Sequence, residues 1–284
     1  MAGTAIEVEG HVLSLSNLDK PLYPNGFTKS QVIDYYVRIA PVLLPYLTGR
    51  ALTVIRFPDG SQGKSFFSKN IPSFAPEWMP RVSRKDNVHI VCSNLATLVF
   101  LANLAALELH VPLHREADDS TVPDRMVFDL DPGPETGIRQ CCEVALLIAD
   151  ILGPLGMTLR AKTSGSKGMQ LYAVPSNPMP YEGPGGVTAF AKAVAEGLER
   201  ANPDRIVARQ AKELRPGKIL IDWSQNVSAK TTVCVYSLRA RDEPTVSTPL
   251  LWSEVVAGAE GSPLRFTSTD VLARVVEHGD LFAL

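Results

Sequence analysis

The chain has 284 residues, of which 45% are hydrophobic and 20% charged, with a formal net charge of −2 at pH 7. That length suits one large domain or two small ones, and the composition is that of an ordinary soluble globular protein. The charge balance argues weakly against a protein that coats nucleic acid through bulk cationic charge and leaves room for a local basic groove.

The four cysteines, Cys92, Cys141, Cys142 and Cys234, show no Cys-x-x-Cys pair or metal-ligand spacing, so buried thiols in a reducing cytoplasm are expected. The N-terminus lacks a basic region followed by an apolar run, so no signal peptide is read. The most apolar stretch, Leu95 to Leu109, is too short to span a bilayer and contains Asn103 and Glu108.

Taken in order, residues 1–11 read as a frayed terminus or edge strand, followed by loop and turn through Pro21 and Tyr23-Pro24-Asn25-Gly26. Thr28 is a good helix cap, and Val32, Ile33, Tyr36, Ile39 and Ala40 recur at helical spacing; Pro41 and Pro45 are expected to kink or restart that helix. Leu52–Phe57 and Ser65–Lys69 are strand candidates, and the proline-rich 70–80 is loop. Asn87–Cys92 is a strand, and Ser93 caps a helix expected to run to about Leu109. An apolar strand over 125–131 is stopped by Pro132-Gly133, and an amphipathic helix spans 138–152. Strands at 157–162 and 169–174 flank a tight turn at 163–168; a helix follows over 185–200. Strands at 218–223 and 231–236 surround a polar turn, and the tail from Leu250 is mostly helical. Without strict βαβ alternation, the pattern predicts an α+β fold on a mixed or antiparallel sheet, with no repeat, linker or clear domain boundary.

The chemistry centres on Arg125-Met126-Val127-Phe128-Asp129-Leu130-Asp131-Pro132-Gly133. In a strand, positions i and i+2 share a face, so Asp129 and Asp131 aim the same way at a sheet exit. Carboxylates held that close repel unless a cation sits between them, and carboxylate oxygens are the ligands Mg²⁺ and Mn²⁺ favour. A solvated strand end is the plain alternative. A second apolar strand, Lys218 to Trp223, ends on Asp222, and three such acids are enough for two metal ions. Asp222 could instead cap the turn from Ser224 to Asn226.

Ser164-Gly165-Ser166-Lys167-Gly168 is a small-residue turn whose backbone N–H groups could approach an anion beside Lys167, although its spacing is not that of a Walker loop. A plain hairpin turn is the alternative. Arg205, Arg209, Lys212, Arg215, Lys218, Lys230, Arg239 and Arg241 fall in one late segment, which could equally be a solvated face. Of these, Arg215, Lys230 and Arg239 flank the Asp222 strand in sequence, as a triphosphate would require. An outward Phe66 or Phe67 could stack on a base, and Asn17, Lys20 and Lys29 form a second polar cluster suited to a phosphate.

In order, Asn-Leu-Asp-Lys, Phe-Phe, Leu-His-Val-Pro, Val-Phe-Asp-Leu-Asp-Pro-Gly, Thr-Ser-Gly-Ser-Lys-Gly, Ile-Asp-Trp-Ser-Gln-Asn, Lys-Thr-Thr and Tyr-Ser-Leu-Arg resemble the polymerase domain of bacterial ATP-dependent DNA ligase D, of the archaeo-eukaryotic primase superfamily. The resemblance covers about residues 13–255 and implies a primase-like core, a central sheet flanked by helices. It implies one catalytic domain over 1–284, with an N-terminal subregion (about 1–115), a metal-binding core (about 116–245) and a helical tail (250–284). It implies a stand-alone primase-polymerase extending a primer 3′-hydroxyl with NTP or dNTP, using two Mn²⁺ or Mg²⁺ ions, in gap filling or end joining during DNA repair. By position, Asp129, Asp131 and Asp222 would hold metal. Ser164, Lys167, Gln170, Arg215, Gln225, Lys230, Arg239 and Arg56 would hold the nucleotide, with His110 near its sugar. Phe66 and Phe67 would stack near base and template, while Asn17, Lys20 and Lys29 would grip a downstream 5′-phosphate. Implied partners are gapped or broken DNA, nucleotides, DNA end-binding proteins and ligase; a membrane is not among them. A cytoplasmic, nucleoid-associated location follows.

Two positions depart from the resemblance. Gln170 stands where the family has His, and Ile55-Arg56 where it often has Lys-Arg, so the triphosphate loses charge-assisted contacts. Two rival readings go with these sequences. A phosphohydrolase using Asp-x-Asp is disfavoured by Gly133, where such enzymes carry Thr or Val. A non-catalytic or weakly active module binding 5′-phosphate DNA ends is the second.

Overall fold

The structure is a computed structural model that describes residues 3–84, 87–116 and 122–283. Met1 and Ala2 of the expected terminal stretch, 117–121 of the expected metal-binding core, and Leu284 of the expected tail lie outside the described residues. The chain divides into two compact units. Unit 1 comprises Met1–Pro112, Val233–Ser247 and Phe266–Gly279; unit 2 comprises Leu113–Thr232, Thr248–Arg265 and Asp280–Leu284. No helix among the described residues is long and apolar enough to cross a membrane.

In unit 1, β1 (Thr4–Val8) and β2 (His11–Leu15) form an antiparallel hairpin. Its two-residue reversal, Glu9-Gly10, has both φ positive, the backbone a tight primed turn requires. Helix α1 (Lys29–Leu47) starts on a reciprocal capping box between Thr28 and Gln31. It runs through Pro41 and Pro45 without the expected interruption. Both prolines lie on the exposed face, so the two missing N–H bonds fall on the solvent side, while Val32, Ile33, Tyr36, Ile39, Leu43 and Leu47 keep an unbroken buried stripe.

Strands β3 (Thr53–Arg56) and β4 (Phe66–Ser68) pair antiparallel, and β5 (Arg81–Arg84) pairs with β6 (Asn87–Ile90). Helix α2 (Leu95–Asn103) is capped by Asn94, not Ser93, and stops well short of Leu109. Ala105 turns left-handed, and Ala106–Val111 becomes β7, paired antiparallel with β3. A continuous apolar run suits a buried helix or a buried strand equally, which is why periodicity misread this boundary.

Unit 2 is built on β8 (Met126–Pro132), β9 (Thr158–Thr163), β10 (Met169–Val174), β11 (Ile206–Val207) and β12 (Ile219–Asp222). After the two-residue strand β13 (Thr232–Val233), far shorter than expected, β14 (Pro249–Leu250) completes a six-stranded sheet ordered β11-β12-β8-β10-β9-β14. Its pairings are antiparallel except the parallel β11–β12, so the sheet is mixed. Helix α3 (Ile138–Leu152) packs Cys141, Val144, Ala145, Ile148 and Leu152 into the core, and α4 (Val187–Ala201) and α5 (Trp252–Ala259) complete the unit. A last helix, α6 (Ser268–His278), belongs to unit 1.

Candidate metal and phosphate sites

The β-register of unit 2 sets out its chemistry. Asp129 on β8 lies opposite Asp222 on β12 and Gln170 on β10, and Gln170 lies opposite Lys162 on β9. Directly paired residues share a face, so Asp222, Asp129, Gln170 and Lys162 form one polar row across four strands. Asp131 joins the same face two residues on.

Burial raises the Asp129 carboxyl, and Asp131 and Asp222 push it further, to about 7, against an opposing hydrogen bond from Gln170 and the Lys162 charge. Asp222 is buried and also caps a turn: it accepts from Ser224 N at 2.9 Å, Ser224 Oγ at 2.6 Å and Gln225 Nε2 at 2.8 Å. Lys230 Nζ donates to Ser224 Oγ at 2.6 Å, which brings this cation beside the Asp222 carboxylate through one hydroxyl.

Among the described residues, no group of three or more His, Cys, Asp or Glu side chains is placed to hold a metal ion. The donor set nonetheless fits a hard divalent cation of the Mg²⁺ type, which takes one or two carboxylates and completes its shell with water and substrate phosphate. The raised Asp129 carboxyl is the repulsion such a cation relieves.

Two glycines tie loops to the acidic strand. A Cβ at Gly168 would overlap the Leu130 carbonyl, and one at Gly133 would overlap the Arg215 carbonyl. The Lys167 turn and the Arg215 loop therefore press backbone to backbone against β8. Within the turn, Gly165 has φ +68°, and Ser164 Oγ accepts from Ser166 N and Gly168 N, each at 3.2 Å. Those two N–H groups are thus directed at the serine hydroxyl, and Lys167 is exposed. Arg215 donates to the Gln210 carbonyl at 2.6 Å. Of the remaining basic run, Arg205 pairs with Glu143 and Arg209 with Glu199, the solvated-face alternative.

Unit 1 holds the other candidates. His110 Nε2 lies 3.0 Å from Glu108 Oε2, and Arg239 Nε lies 3.2 Å from Glu108 Oε1, which also accepts from Ala240 N at 3.1 Å. Burial raises the Glu108 carboxyl, but His110, Arg239 and the Ala240 N–H outweigh it and hold it at about 2. Sequence reading placed Arg239 beside Asp222 in order along the chain; in the fold it belongs to unit 1 and is anchored there by Glu108.

Phe66 and Phe67 are both exposed, 43% and 64%, so neither faces the core. As β4 residues they pair with Arg56 and Ile55 of β3. Phe67 lines an open cavity of about 460 Å³ together with Lys69, Asn87 and His89.

Lys29 is buried in the first turn of α1, where its Nζ donates to the Ser16 and Asn103 carbonyls at 2.8 and 2.9 Å. Burial, then Lys20 and Arg56, lowers its pKa, so three cations stand together. Asn17, at φ +52°, precedes Lys20, whose Nζ lies 3.1 Å from Asp59. Arg56, assigned in sequence to the nucleotide, thus stands in the lysine cluster.

Sequence reading missed Glu108, Lys162, Tyr172, Asn103 and Ser224. A signal existed for the first two: a charged residue inside an apolar strand needs a partner when buried.

A family model for the LigD primase-polymerase domain matches residues 28–282. The multifunctional non-homologous end joining protein LigD of Mycolicibacterium smegmatis is 42% identical over 275 residues, covering 95% of this chain and 35% of that protein. The bifunctional non-homologous end joining protein LigD of Bacillus subtilis is 35% identical, covering 94% of this chain and 43% of the relative. The chain therefore spans about a third to two fifths of these relatives. Among solved structures, the polymerase domain from Mycobacterium tuberculosis ligase D in complex with DNA superposes with TM-score 0.87 at 38% identity, covering 95% of this chain and 96% of that one. By family model, identity and fold alike, this chain belongs to the LigD primase-polymerase domain family.

Proposed function

We propose that the chain is a template-directed nucleotidyltransferase that adds nucleotides to a primer 3′-hydroxyl at gapped or broken DNA during end joining. The observation that carries this is the pairing of Asp129 with Asp222 across β8 and β12, with Asp131 two residues on, inside a chain of this family. Asp129, Asp131 and Asp222 would hold Mn²⁺ or Mg²⁺; when bound, such ions lower the hydroxyl pKa and screen charge on the transferred phosphoryl group.

This chain's own groups do the rest. Lys230, held at Ser224 beside Asp222, supplies positive charge for the triphosphate, and Lys167 and Arg215 extend it on loops indexed to β8. Glu108 fixes the His110 ring and the Arg239 guanidinium for the nucleotide. Exposed Phe66 and Phe67 offer stacking faces to bases, and Asn17, Lys20, Lys29 and Arg56 take the 5′-phosphate.

The test is primer extension on gapped duplexes with Mn²⁺ or Mg²⁺. Extension is expected for wild type and a loss of about a thousandfold or more for Asp129→Ala. Full extension by that variant sinks the reading. A second reading, a 5′-phosphate-end-binding module with little turnover, is favoured by the cation cluster at Lys29, which needs no acidic partner site. Tight binding of a recessed 5′-phosphate with no extension under either metal supports it instead.

A further inference from the structure

Lys162 is fully buried in a strand, and no step of the proposed reaction uses it. Its Nζ lies 2.6 Å from Gln170 Oε1, and the Tyr172 hydroxyl donates to the same oxygen at 3.3 Å. Tyr172 is itself fixed by Thr232 Oγ1 at 2.8 Å and by an edge contact with Phe282. Lys162 Nζ donates to Oε1, which sets the orientation of the amide: Oε1 faces Lys162, and the NH₂ end faces away. On that side stands Asp129, directly opposite in the β-ladder. A carboxylate can only accept, so the NH₂ is the end of the amide that suits it.

We propose that Gln170 is a positioning residue for Asp129, with its amide locked by Lys162 and Tyr172 so that one carboxylate oxygen is held and the other stays available to the metal. This rests on the reading of Asp129 as a metal ligand. The row Lys162–Gln170–Asp129 links a buried lysine to that ligand through a neutral amide. Buried polar rows of this kind are costly unless their members are satisfied, and Lys162, Gln170 and Tyr172 each have a partner. Groups outside a metal's own ligands that orient those ligands typically alter affinity by 10–100-fold.

The test measures Mn²⁺ binding without nucleotide, by electron paramagnetic resonance of the free ion, on the full chain. Gln170→Met is expected to weaken binding by about tenfold or more, and Lys162→Met, which frees the amide to rotate, by a comparable factor. Gln170→His, which can still donate an N–H, is expected to stay within about threefold of wild type. Thermal melts of each variant separate this from loss of fold, and two variants on different strands guard against one failing to fold. Unchanged Mn²⁺ affinity in a folded Gln170→Met, while Asp129→Asn loses binding, overturns the positioning role and leaves the metal reading standing. Unchanged Mn²⁺ affinity in Asp129→Asn overturns both. A Gln170→Met that alters only nucleotide affinity measured in chelator makes Gln170 a substrate contact and also ends the proposal.

Discussion

Glu108 in unit 1 and Asp129 in unit 2 are both carboxylates on strands, one buried and one partly buried, and they shift in opposite directions. Burial raises each, but Glu108 faces His110, Arg239 and a backbone N–H and ends at about 2, whereas Asp129 faces Asp131 and Asp222 and ends at about 7. Desolvation sets the scale of a shift and the neighbours set its sign. A compensated acid is a structural anchor that orients other groups. An acid whose nearest charged neighbours include two more acids favours a cation, which is the usual meaning of a strongly raised carboxyl at a functional site.

The sharpest way to break the comparison is to remove the anchor. Glu108→Ala leaves Arg239 and His110 without their shared acceptor, and a loss of about 3–5 kcal/mol is expected in denaturant unfolding, as for any buried ion pair cut on one side. A loss below about 1 kcal/mol, the level of a surface pair, would show that the Glu108 pairings add no more than exposed ones do.

The pH response should differ in sign between the two acids. Glu108 binds its proton less tightly folded than unfolded, so its contribution is present above about pH 4.3, its unfolded value, and is lost as pH falls towards about 2. Asp129 binds its proton more tightly folded, so metal-free stability falls as pH rises from about 3.9 through about 7. Asp129→Asn should flatten this second slope. Mn²⁺ should accordingly raise Tm more at pH 8 than at pH 5.5, by a few degrees. Equal shifts at both values would remove the raised carboxyl from the account.

The smallest effect extends the contrast to cations. Lys29 is lowered by burial and by Lys20 and Arg56, the mirror image of Asp129, and should favour an anion. Lys20→Ala should cut the preference for 5′-phosphorylated over unphosphorylated gapped DNA by about tenfold, one charge-assisted hydrogen bond. An unchanged preference moves the phosphate elsewhere.

Sheet chemistry was legible in the sequence because the period of a strand is unambiguous: Asp-x-Asp, and an apolar run ending in Asp222, fixed which faces the acids occupy. The long helices at 29–47 and 138–152 were legible from their stripes. The α2–β7 boundary was not, since an apolar run has no period to read and Ala105 gives no glycine-like warning of its left-handed turn. Nor was the grouping of Arg56 with Lys20 and Lys29, or of Arg239 with Glu108, since side chains remote along the chain meet only through tertiary packing. Pro41 and Pro45 do not restart α1, since both lie on its exposed face, where a missing hydrogen bond costs least.

The absent side chains of Gly133 and Gly168 act as a gauge. Because even a methyl group there would collide with a neighbouring carbonyl, the distance from the acid-bearing strand to the loops carrying Lys167 and Arg215 is set by main-chain thickness alone. Residues on those loops can change identity without altering how far their charges must reach, so substrate preference can drift in this scaffold while the spacing between anionic and cationic elements stays calibrated.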